Sequence, residues 1–490
     1  MKIGLIYMAL CVLFLNSCGM HSINYEPKVD EKLLEENNYS LSLSDSSSKE
    51  VATKLMDFKS YSKDVWWQSF SDERLDQFIS NGLKSNYDLK AALARITKAR
   101  YLRSASGAQR LPTLNARGNY QEVDGGFGIQ GPFTEAALTL SWELDIFNRL
   151  GYQRTQLLFA EKATEEDYEA LRLTLSSEIA LTYFRIIEIN NRLKLLDKQI
   201  KIGNEYLNVI RLRFKEGYSS KVDVLQQESQ LLNLKSQIPR ANEELRVQQN
   251  KLDILLGETP DGKERFVPKK LMNYSFDYSV GVPSELLLSR PDLRAASARV
   301  VSQDAAIGSA FADRFPSFSI TGNLINRDVP VYGGVIKNFT GGVLLPIIDF
   351  GRRRDLVNSN EADYKAILDE FSGTFINAVA EVENLLYQIQ QRKALIVTLS
   401  KRRDVLDETL SQATKRYKKG ITDYLPVLNA IESLNETEIL LLSERRSLIE
   451  LQIGLHKAIG GHTHQTKAAL DQSVPNTEAD EKEKSVEKEK

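Results

Sequence analysis

The feature that most constrains this chain is a short phrase that occurs twice. The two copies read Arg213-Phe214-Lys215-Glu216-Gly217 and Arg416-Tyr417-Lys418-Lys419-Gly420. A long amphipathic helical pattern precedes each copy, and a shorter one follows it. Because glycine adopts the positive φ that ends a helix at little cost, each phrase predicts the tip of a helical hairpin.

The same spacing recurs along the whole body of the chain. Gly217 and Gly420 are 203 positions apart, and so are Gly257 and Gly460. The sequence Arg110-Leu111-Pro112 returns 204 positions later as Arg314-Phe315-Pro316. One offset held over this distance indicates two structural copies, and the period is too long for a solenoid repeat. It favours one barrel or bundle built from two similar halves.

Composition excludes several classes of function. A chain of 490 residues has room for two or three domains. Its 64 basic and 66 acidic residues nearly cancel, so charge does not favour a nucleic-acid partner. Four histidines and two cysteines leave little material for metal or thiol chemistry, and we expect no cofactor. His462 and His464 are a weak metal candidate, because they stand in a polar tail.

The N-terminus predicts export. Residues 1–17 are predicted to be a lipoprotein signal peptide. Lys2 is its minimal basic region, and the apolar run of about thirteen residues that follows is too short to span a bilayer. The run ends in Leu15-Asn16-Ser17-Cys18-Gly19, which resembles a bacterial lipobox. In that interpretation Cys11 is discarded, Cys18 is acylated as the first mature residue, and the mature chain has no disulfide. The alternative is an ordinary signal peptide with an incidental cysteine.

The remaining segments follow from composition and periodicity. Each repeat should contain short helices, a β-hairpin (112–146 and 316–349) and a long helical hairpin (150–256 and 352–459). The predicted segments are a polar arm at 18–65, a first repeat at 66–257, a linker at 258–283, a second repeat at 284–461 and a disordered charged tail at 462–490.

The two β-hairpins are recognised by a change of period. Apolar residues alternate with polar ones after Pro112, and the pattern returns after Pro316 and in a last run from Phe339 to Ile347. Strands of about ten residues with one apolar face suit a membrane β-barrel, whereas a soluble sheet on a core is the alternative. Four strands cannot close a barrel, and open edges are not tolerated in lipid. Spanning strands would therefore require several protomers to share one barrel.

The long helices carry a heptad pattern. Apolar residues recur every seven positions from Ile179 to Phe214, with a second series between them, and the repeat offset gives the same pattern from Val382 to Tyr417. A helix of this length runs about 95 Å, so it predicts a coiled coil or the wall of an elongated structure. The helices at 87–109 and 219–256, stacked end to end, should match the long helix, and Pro239 should bend the second of them.

Several phrases together resemble one family. They lie in the order and spacing of the TolC-type outer-membrane efflux factors, in their lipoprotein branch, over roughly residues 65–461. The phrases are Trp142-Glu143-Leu144-Asp145-Ile146-Phe147-Asn148-Arg149, Ser289-Arg290-Pro291-Asp292-Leu293-Arg294-Ala295-Ala296, Arg314-Phe315-Pro316-Ser317, Leu345-Pro346-Ile347-Ile348-Asp349-Phe350-Gly351-Arg352 and the two tip phrases.

The resemblance implies a fold and partners. The fold is mainly α with a membrane β-barrel: a homotrimer in which twelve strands form one outer-membrane barrel, continued by a long periplasmic α-helical barrel. Such proteins are passive exit ducts anchored in outer-membrane lipid. A periplasmic adaptor docks at their tips, and an inner-membrane RND-type transporter supplies the energy. Drugs, dyes, metal ions and secreted peptides all leave through such ducts, so the substrate stays open.

The resemblance also implies site residues. The adaptor should dock at the two turns, whose residues are Gly217, Tyr218, Ser219, Ser220, Gly420, Ile421 and Thr422. A simple solvated turn is the alternative there.

A periplasmic gate is the second implied site. Tyr417 and Asp223 match a tyrosine and an aspartate that bond between neighbouring hairpins in the family. Thr422 replaces the family's basic partner. Pro426 and Asn429 stand where acidic rings occur, and the nearest charges are those of Asp423 and Glu432. The alternative is that Tyr417 only closes the heptad pattern.

Two other classes of function fit the sequence less well. A trimeric coiled-coil lipoprotein that serves only as a scaffold would explain the heptads and the anchor, but it would not need alternating hairpins in both halves. An enzyme is not supported, because no catalytic triad, phosphate loop or ligand cluster stands out.

Overall fold

The computed structural model describes residues 21–25, 65–125, 129–262, 274–275, 286–328, 333–461 and 469–470. The predicted signal peptide, Cys11, Cys18, most of the predicted arm, His462 and His464 lie outside these ranges.

The two repeats contain the same series of long elements. The first consists of a 3-10 helix Trp66–Phe70, α1 (Glu73–Ser85), α2 (Tyr87–Ala108), β1 (Thr113–Gly125), β2 (Ile129–Leu144), α3 (Arg149–Lys215) and α4 (Lys221–Leu255). The second consists of α5 (Leu286–Ser289), α6 (Pro291–Ala312), β4 (Ser317–Asp328), β5 (Gly334–Leu344), α7 (Arg352–Lys418) and α8 (Leu425–Ala458). The helix α4 runs through Pro239 as one element.

The strands differ from the predicted segments at two points. β5 ends at Leu344 rather than Ile347, because Pro346 has no N–H for the sheet and restricts the residue before it. The predicted tail contains β6 (Ala469–Leu470), which pairs with β3 (Tyr274–Ser275) in the predicted linker. Backbone pairing over two residues leaves no side-chain period in a sequence, so it could not be read there.

The four long strands form one antiparallel sheet in the order β1-β2-β4-β5. The register places the apolar residues of all four strands in common rows, for example Leu114, Leu140, Gly322 and Phe339. The opposite face carries a row of Thr113, Ser141, Thr321 and Thr340 and a row of Asn115, Thr139, Asn323 and Asn338. These rows keep their character across both repeats. Two neighbouring rows are mixed, because Lys337 pairs with Leu324 on the apolar face and Ile325 pairs with Ile336 on the opposite face.

The apolar face of this sheet is exposed in the single chain. The exposed fraction is 67% at Leu114, 70% at Tyr120 and 75% at Phe339. Large apolar side chains left uncovered in rows mark a surface that contacts lipid or another protein. No helix among the described residues has both the length and the apolar character needed to cross a membrane.

The chain divides into two compact units. One holds residues 91–168 and 291–376 with the N-terminal residues 21–25, and its core includes Phe159 and Val301. The other holds residues 65–90, 169–290 and 377–461. In this second unit the heptad positions Ile179, Ile189 and Ile210 are fully buried.

Both repeats close with the same arrangement, a helix that ends at a glycine packed against another segment, which we call the joint. Gly257 and Gly460 end α4 and α8 with φ values of +74° and +84°. The N–H three positions past the last residue of each helix donates to a carbonyl in the last turn, from Glu258 to Asp253 and from Gly461 to His456, both at 2.8 Å. A Cβ at Gly257 would lie 2.6 Å from the carbonyl oxygen of Ser85 at the end of α1, and a Cβ at Gly460 would lie 2.3 Å from that of Ser289 at the end of α5. Only glycine fits both the backbone angle and the space.

Candidate functional site at the hairpin tips

The tip phrases form identical helix ends. Gly217 and Gly420 have φ values of +78° and +73°. The N–H of Tyr218 donates to the carbonyl of Arg213 at 2.8 Å, and that of Ile421 donates to Arg416 at 3.0 Å. A Cβ at either glycine would meet nothing within 4 Å, so the backbone angle alone requires glycine here.

The two turns expose equivalent positions. Tyr218 is 74% exposed and Ile421, its counterpart in the second repeat, is 59% exposed. Ser220 is also exposed, whereas Ser219 and Thr422 are half-buried. The predicted docking residues thus present one large apolar side chain on each tip.

Asp223 is engaged within its own hairpin. Its carboxylate accepts the backbone N–H of Ser220 at 2.9 Å, and the Ser220 hydroxyl accepts the N–H of Asp223 at 3.1 Å. This reciprocal capping box begins α4. The same carboxylate oxygen also accepts the hydroxyl of Ser219 at 2.8 Å. The position therefore has a structural role that sequence comparison with the family did not reveal.

Tyr417 is brought to Asp223 through an intermediate. Its ring is buried with 4% exposure, and its hydroxyl lies 3.4 Å from the hydroxyl of Ser219. Within one chain the tyrosine and the aspartate are thus joined through Ser219. The guanidinium of Arg213 lies 4.6 Å from the centre of the Tyr417 ring, a cation–π contact from the first hairpin to the second.

A second contact between the hairpins is deeper and shorter. The Tyr424 hydroxyl donates to the side-chain carbonyl of Gln227 at 2.6 Å, and the Gln227 amide donates to the carbonyl of Gly203 at 3.0 Å. Tyr424 is fully buried and Gln227 is 1% exposed. Burial, with Tyr206 and Tyr417 nearby, raises the pKa of Tyr424, so it stays a neutral donor.

Sequence reasoning did not single out Tyr424 or Gln227, and it gave Ser219 and Arg213 no part in the gate. The repeat offset offered one signal, because Lys221 occupies the position of Tyr424 in the first copy. A lysine replaced by an aromatic residue at one tip marks a place where the two halves differ.

The other predicted gate residues lie at the start of α8. Asp423 and Asn429 are exposed, and Glu432 is half-buried. Burial, followed by the nearby Glu436, raises the pKa of Glu432. Glu432 therefore loses its negative charge at a higher pH than a fully exposed glutamate does.

Comparison with known proteins gives a consistent result. The family model described as outer membrane efflux protein matches residues 78–258 and 282–461. Nodulation protein T of Rhizobium leguminosarum bv. trifolii is 27% identical over 424 residues, covering 83% of this chain and 90% of that protein. The toluene efflux pump outer membrane protein TtgI of Pseudomonas putida is 27% identical over 408 residues, covering 80% and 86%.

Solved structures agree with this result. A crystal structure of CusC superposes with a TM-score of 0.76 at 25% identity and covers 82% of this chain and 96% of its own. The open state of the MtrE outer membrane channel of Neisseria gonorrhoeae gives a TM-score of 0.76 at 23% identity and covers 90% and 98%. At that identity the second likeness shows the fold alone.

Proposed function

The chain belongs to the outer membrane efflux protein family, and from this premise we propose how it works as the exit duct of a tripartite efflux system. Members form trimeric outer-membrane channels that continue into a periplasmic helical barrel and work with adaptors and inner-membrane transporters. The four-stranded sheet, with two unpaired edges and an exposed apolar face, is this chain's share of such a barrel. The polar rows of Ser, Thr and Asn line water.

Conductance tests the duct directly. Purified protein in planar bilayers should show stable single-channel currents, because a shared twelve-stranded barrel leaves an aqueous lumen. A coiled-coil scaffold, the alternative, would give none. An absence of currents from a trimer that has been verified in the same sample would contradict the duct.

We further propose that the two tips bind the periplasmic adaptor of an RND-type system. The observation that supports this is the pair of exposed apolar side chains, Tyr218 and Ile421, at equivalent places in the two repeats. Exposed aromatic and aliphatic residues at a rigid turn are suited to bury against a partner. The partner transporter would then set the substrate, which the duct itself does not select.

Docking is tested by changing the exposed residues. Ser219→Trp is an obvious disruption, but Ser219 also contacts Tyr417 and Asp223, so the cleaner changes are Tyr218→Asp and Ile421→Asp. Each should reduce efflux at least tenfold while the amount of trimer and its conductance stay unchanged, since a charge at a buried contact is costly. Normal efflux in both variants would contradict docking at the tips.

We propose that the periplasmic gate of the duct lies at the hairpin tips, beside the docking turns. Tyr417, Ser219 and Asp223 join the second hairpin to the first by contacts that a small movement would break, because the Tyr417–Ser219 distance is already 3.4 Å.

We also propose that Cys18 is acylated and holds the N-terminus at the outer membrane.

A further inference from the structure

The residues that follow Cys18 are held by one buried carboxylate. The Nε2 atom of His21 lies 2.7 Å from Oδ1 of Asp304, and the backbone N–H of Asn24 donates to Oδ2 at 2.5 Å. Asp304 is on α6 and is only 5% exposed. Each of its two oxygens thus contacts the N-terminal segment 21–25.

Two further helices, α3 and α7, also contact the N-terminal segment. From α3, the Tyr152 hydroxyl donates to the carbonyl of His21, and the Phe159 ring lies 5.8 Å from that of Tyr25. From α7, the Tyr364 hydroxyl forms a hydrogen bond with the side chain of Asn24. Ile23 packs on an apolar cluster whose members are Phe159, Ala163, Ala298 and Val301.

The arrangement is specific to one repeat. At the repeat offset of 204, the counterpart of Asp304 is Arg100. Arg100 is exposed and forms ion pairs with Glu161 and Glu165, both at 3.3 Å. The duplicated helix thus carries a buried acid only where the single N-terminus arrives. A carboxylate this deeply buried is costly unless hydrogen-bond donors satisfy it, and the segment supplies donors to both oxygens.

We propose that Asp304, with Tyr152 and Tyr364, is a docking site for the chain's own residues 21–25 and fixes where the N-terminal lipid anchor enters the membrane. The docking rests on the contacts above, and its link to an anchor rests on the proposed acylation of Cys18. Three residue steps separate Cys18 from His21, so the acylated residue stays within about 10 Å of the site.

The location of the site fits that role. Asp304 stands eight residues before the end of α6 at Ala312, which is about 12 Å along the helix. Tyr152 is the fourth residue of α3, close to the end of β2 at Leu144. Both residues lie near the point where strands give way to helices. An anchor held there reaches the membrane beside its own protomer's strands.

A spin label on the segment tests the docking. Ser22 is exposed, so Ser22→Cys accepts a nitroxide without disturbing the contacts, and labelling of the unchanged chain reports any reaction at its own cysteines. The label should be strongly immobilised in the full-length protein. Asp304→Ala should release it and shorten its rotational correlation time by roughly tenfold, into the range of a free terminus.

A second variant and a control decide the result. Asn24→Pro removes the N–H that Asp304 accepts and the side chain that Tyr364 contacts, but it leaves α6 unchanged. It should therefore release the label even if Asp304→Ala fails to assemble. Asp167→Ala removes a half-exposed carboxylate that pairs with Arg299 at 2.6 Å in the same unit, and the label should stay immobile. A label that is mobile in the parent protein, or immobile in both test variants, would overturn the proposal. Conductance measured on the same samples reports separately on the duct.

Discussion

At the scale of single residues, the proposed gate includes a serine to which the family resemblance gave only a docking role. The family pattern places Tyr417 and Asp223 together, and the structure does bring them near each other. Ser219 lies between them and contacts both side chains. A resemblance identifies matching positions, but the atoms that join them depend on the neighbouring residues of each particular chain.

The first prediction concerns this gate. Tyr417→Phe combined with Asp223→Ala should raise single-channel conductance and sensitise cells to large antibiotics, because it removes the tyrosine hydroxyl and the carboxylate to which Ser219 joins it. Ser219→Ala alone should have the same direction of effect, since it removes the bridging hydroxyl. Conductance in planar bilayers and growth with a large antibiotic are the measurements.

Asp223 also caps α4, so this prediction needs a matched control. Ser220→Ala removes the capping box at about 1 kcal/mol but leaves Ser219 and Tyr417 in place. It should lower thermal stability slightly with unchanged conductance. Equal conductance in the Ser219 and Ser220 variants would show that the gate is held by other contacts.

A buried histidine gives a second residue-scale prediction. His456 stacks on Trp66 with ring centres 5.6 Å apart, and burial lowers its pKa to about 4. The pKa of His456 is lower in the folded state than in the unfolded chain. The protein therefore keeps its full stability above pH 6.5 and loses part of it as pH falls toward 4. The expected loss is about 1.4 kcal/mol per pH unit over that window.

His456→Phe keeps an aromatic ring against Trp66 and removes the titration. Its thermal midpoint should fall less than that of the parent between pH 6.5 and pH 4.5. Parallel curves for the two proteins would mean that His456 does not carry the effect. Carboxylates also titrate toward the acid end, so only the difference between the two proteins is interpreted.

At the scale of elements, four glycines end helices for two different reasons. Gly217 and Gly420 need only a positive φ, whereas a Cβ at Gly257 or Gly460 would also lie less than 3 Å from a backbone oxygen. The repeat offset predicted that both pairs are equivalent by duplication. It could not predict the close approach, because the carbonyls of Ser85 and Ser289 come from distant segments.

The third prediction separates these reasons. Gly420→Ala should cost about 1–2 kcal/mol, which is the strain of an L-residue at positive φ. Gly257→Ala and Gly460→Ala should cost more, and they should reduce the yield of assembled trimer, because the neighbouring backbone must move. Thermal unfolding of the three variants gives the order. Similar midpoints for all three would show that the joint has room for a side chain.

The helices and strands themselves were largely predictable. Alternation and heptads come from local spacing, so they gave the long helices to within a few residues and both β-hairpins. The exception within the heptad pattern is Phe214, which is 41% exposed, while its repeat counterpart Tyr417 is buried. Whether the Phe214 or the Tyr417 side chain is buried depends on contacts with the other hairpin. Periodicity within one helix carries no information about those contacts.

At the scale of the whole molecule, one chain is incomplete. Its sheet has unpaired edges at β1 and β5, and an apolar face that no described part of the chain covers. Unpaired strand edges in lipid leave backbone groups without hydrogen bonds, at several kcal/mol each. Trimer formation and membrane insertion therefore satisfy the same backbone groups. Sequence alone gave this conclusion from strand count, but it did not give the register that aligns the polar rows.

The last prediction follows from comparing the two membrane attachments. The acyl chains on one cysteine bury far less apolar surface than the faces of twelve strands, which contribute about 25 cal/mol per Å² over a whole barrel surface. Replacement of Cys18 by Ser behind a cleavable signal should therefore leave a trimer in the outer membrane. Fractionation and crosslinking measure this, and recovery of soluble monomers would show that the anchor is needed for insertion. Because Asp304 holds residues 21–25 by contacts within the protein, the nitroxide at position 22 should remain immobile in the Cys18→Ser trimer.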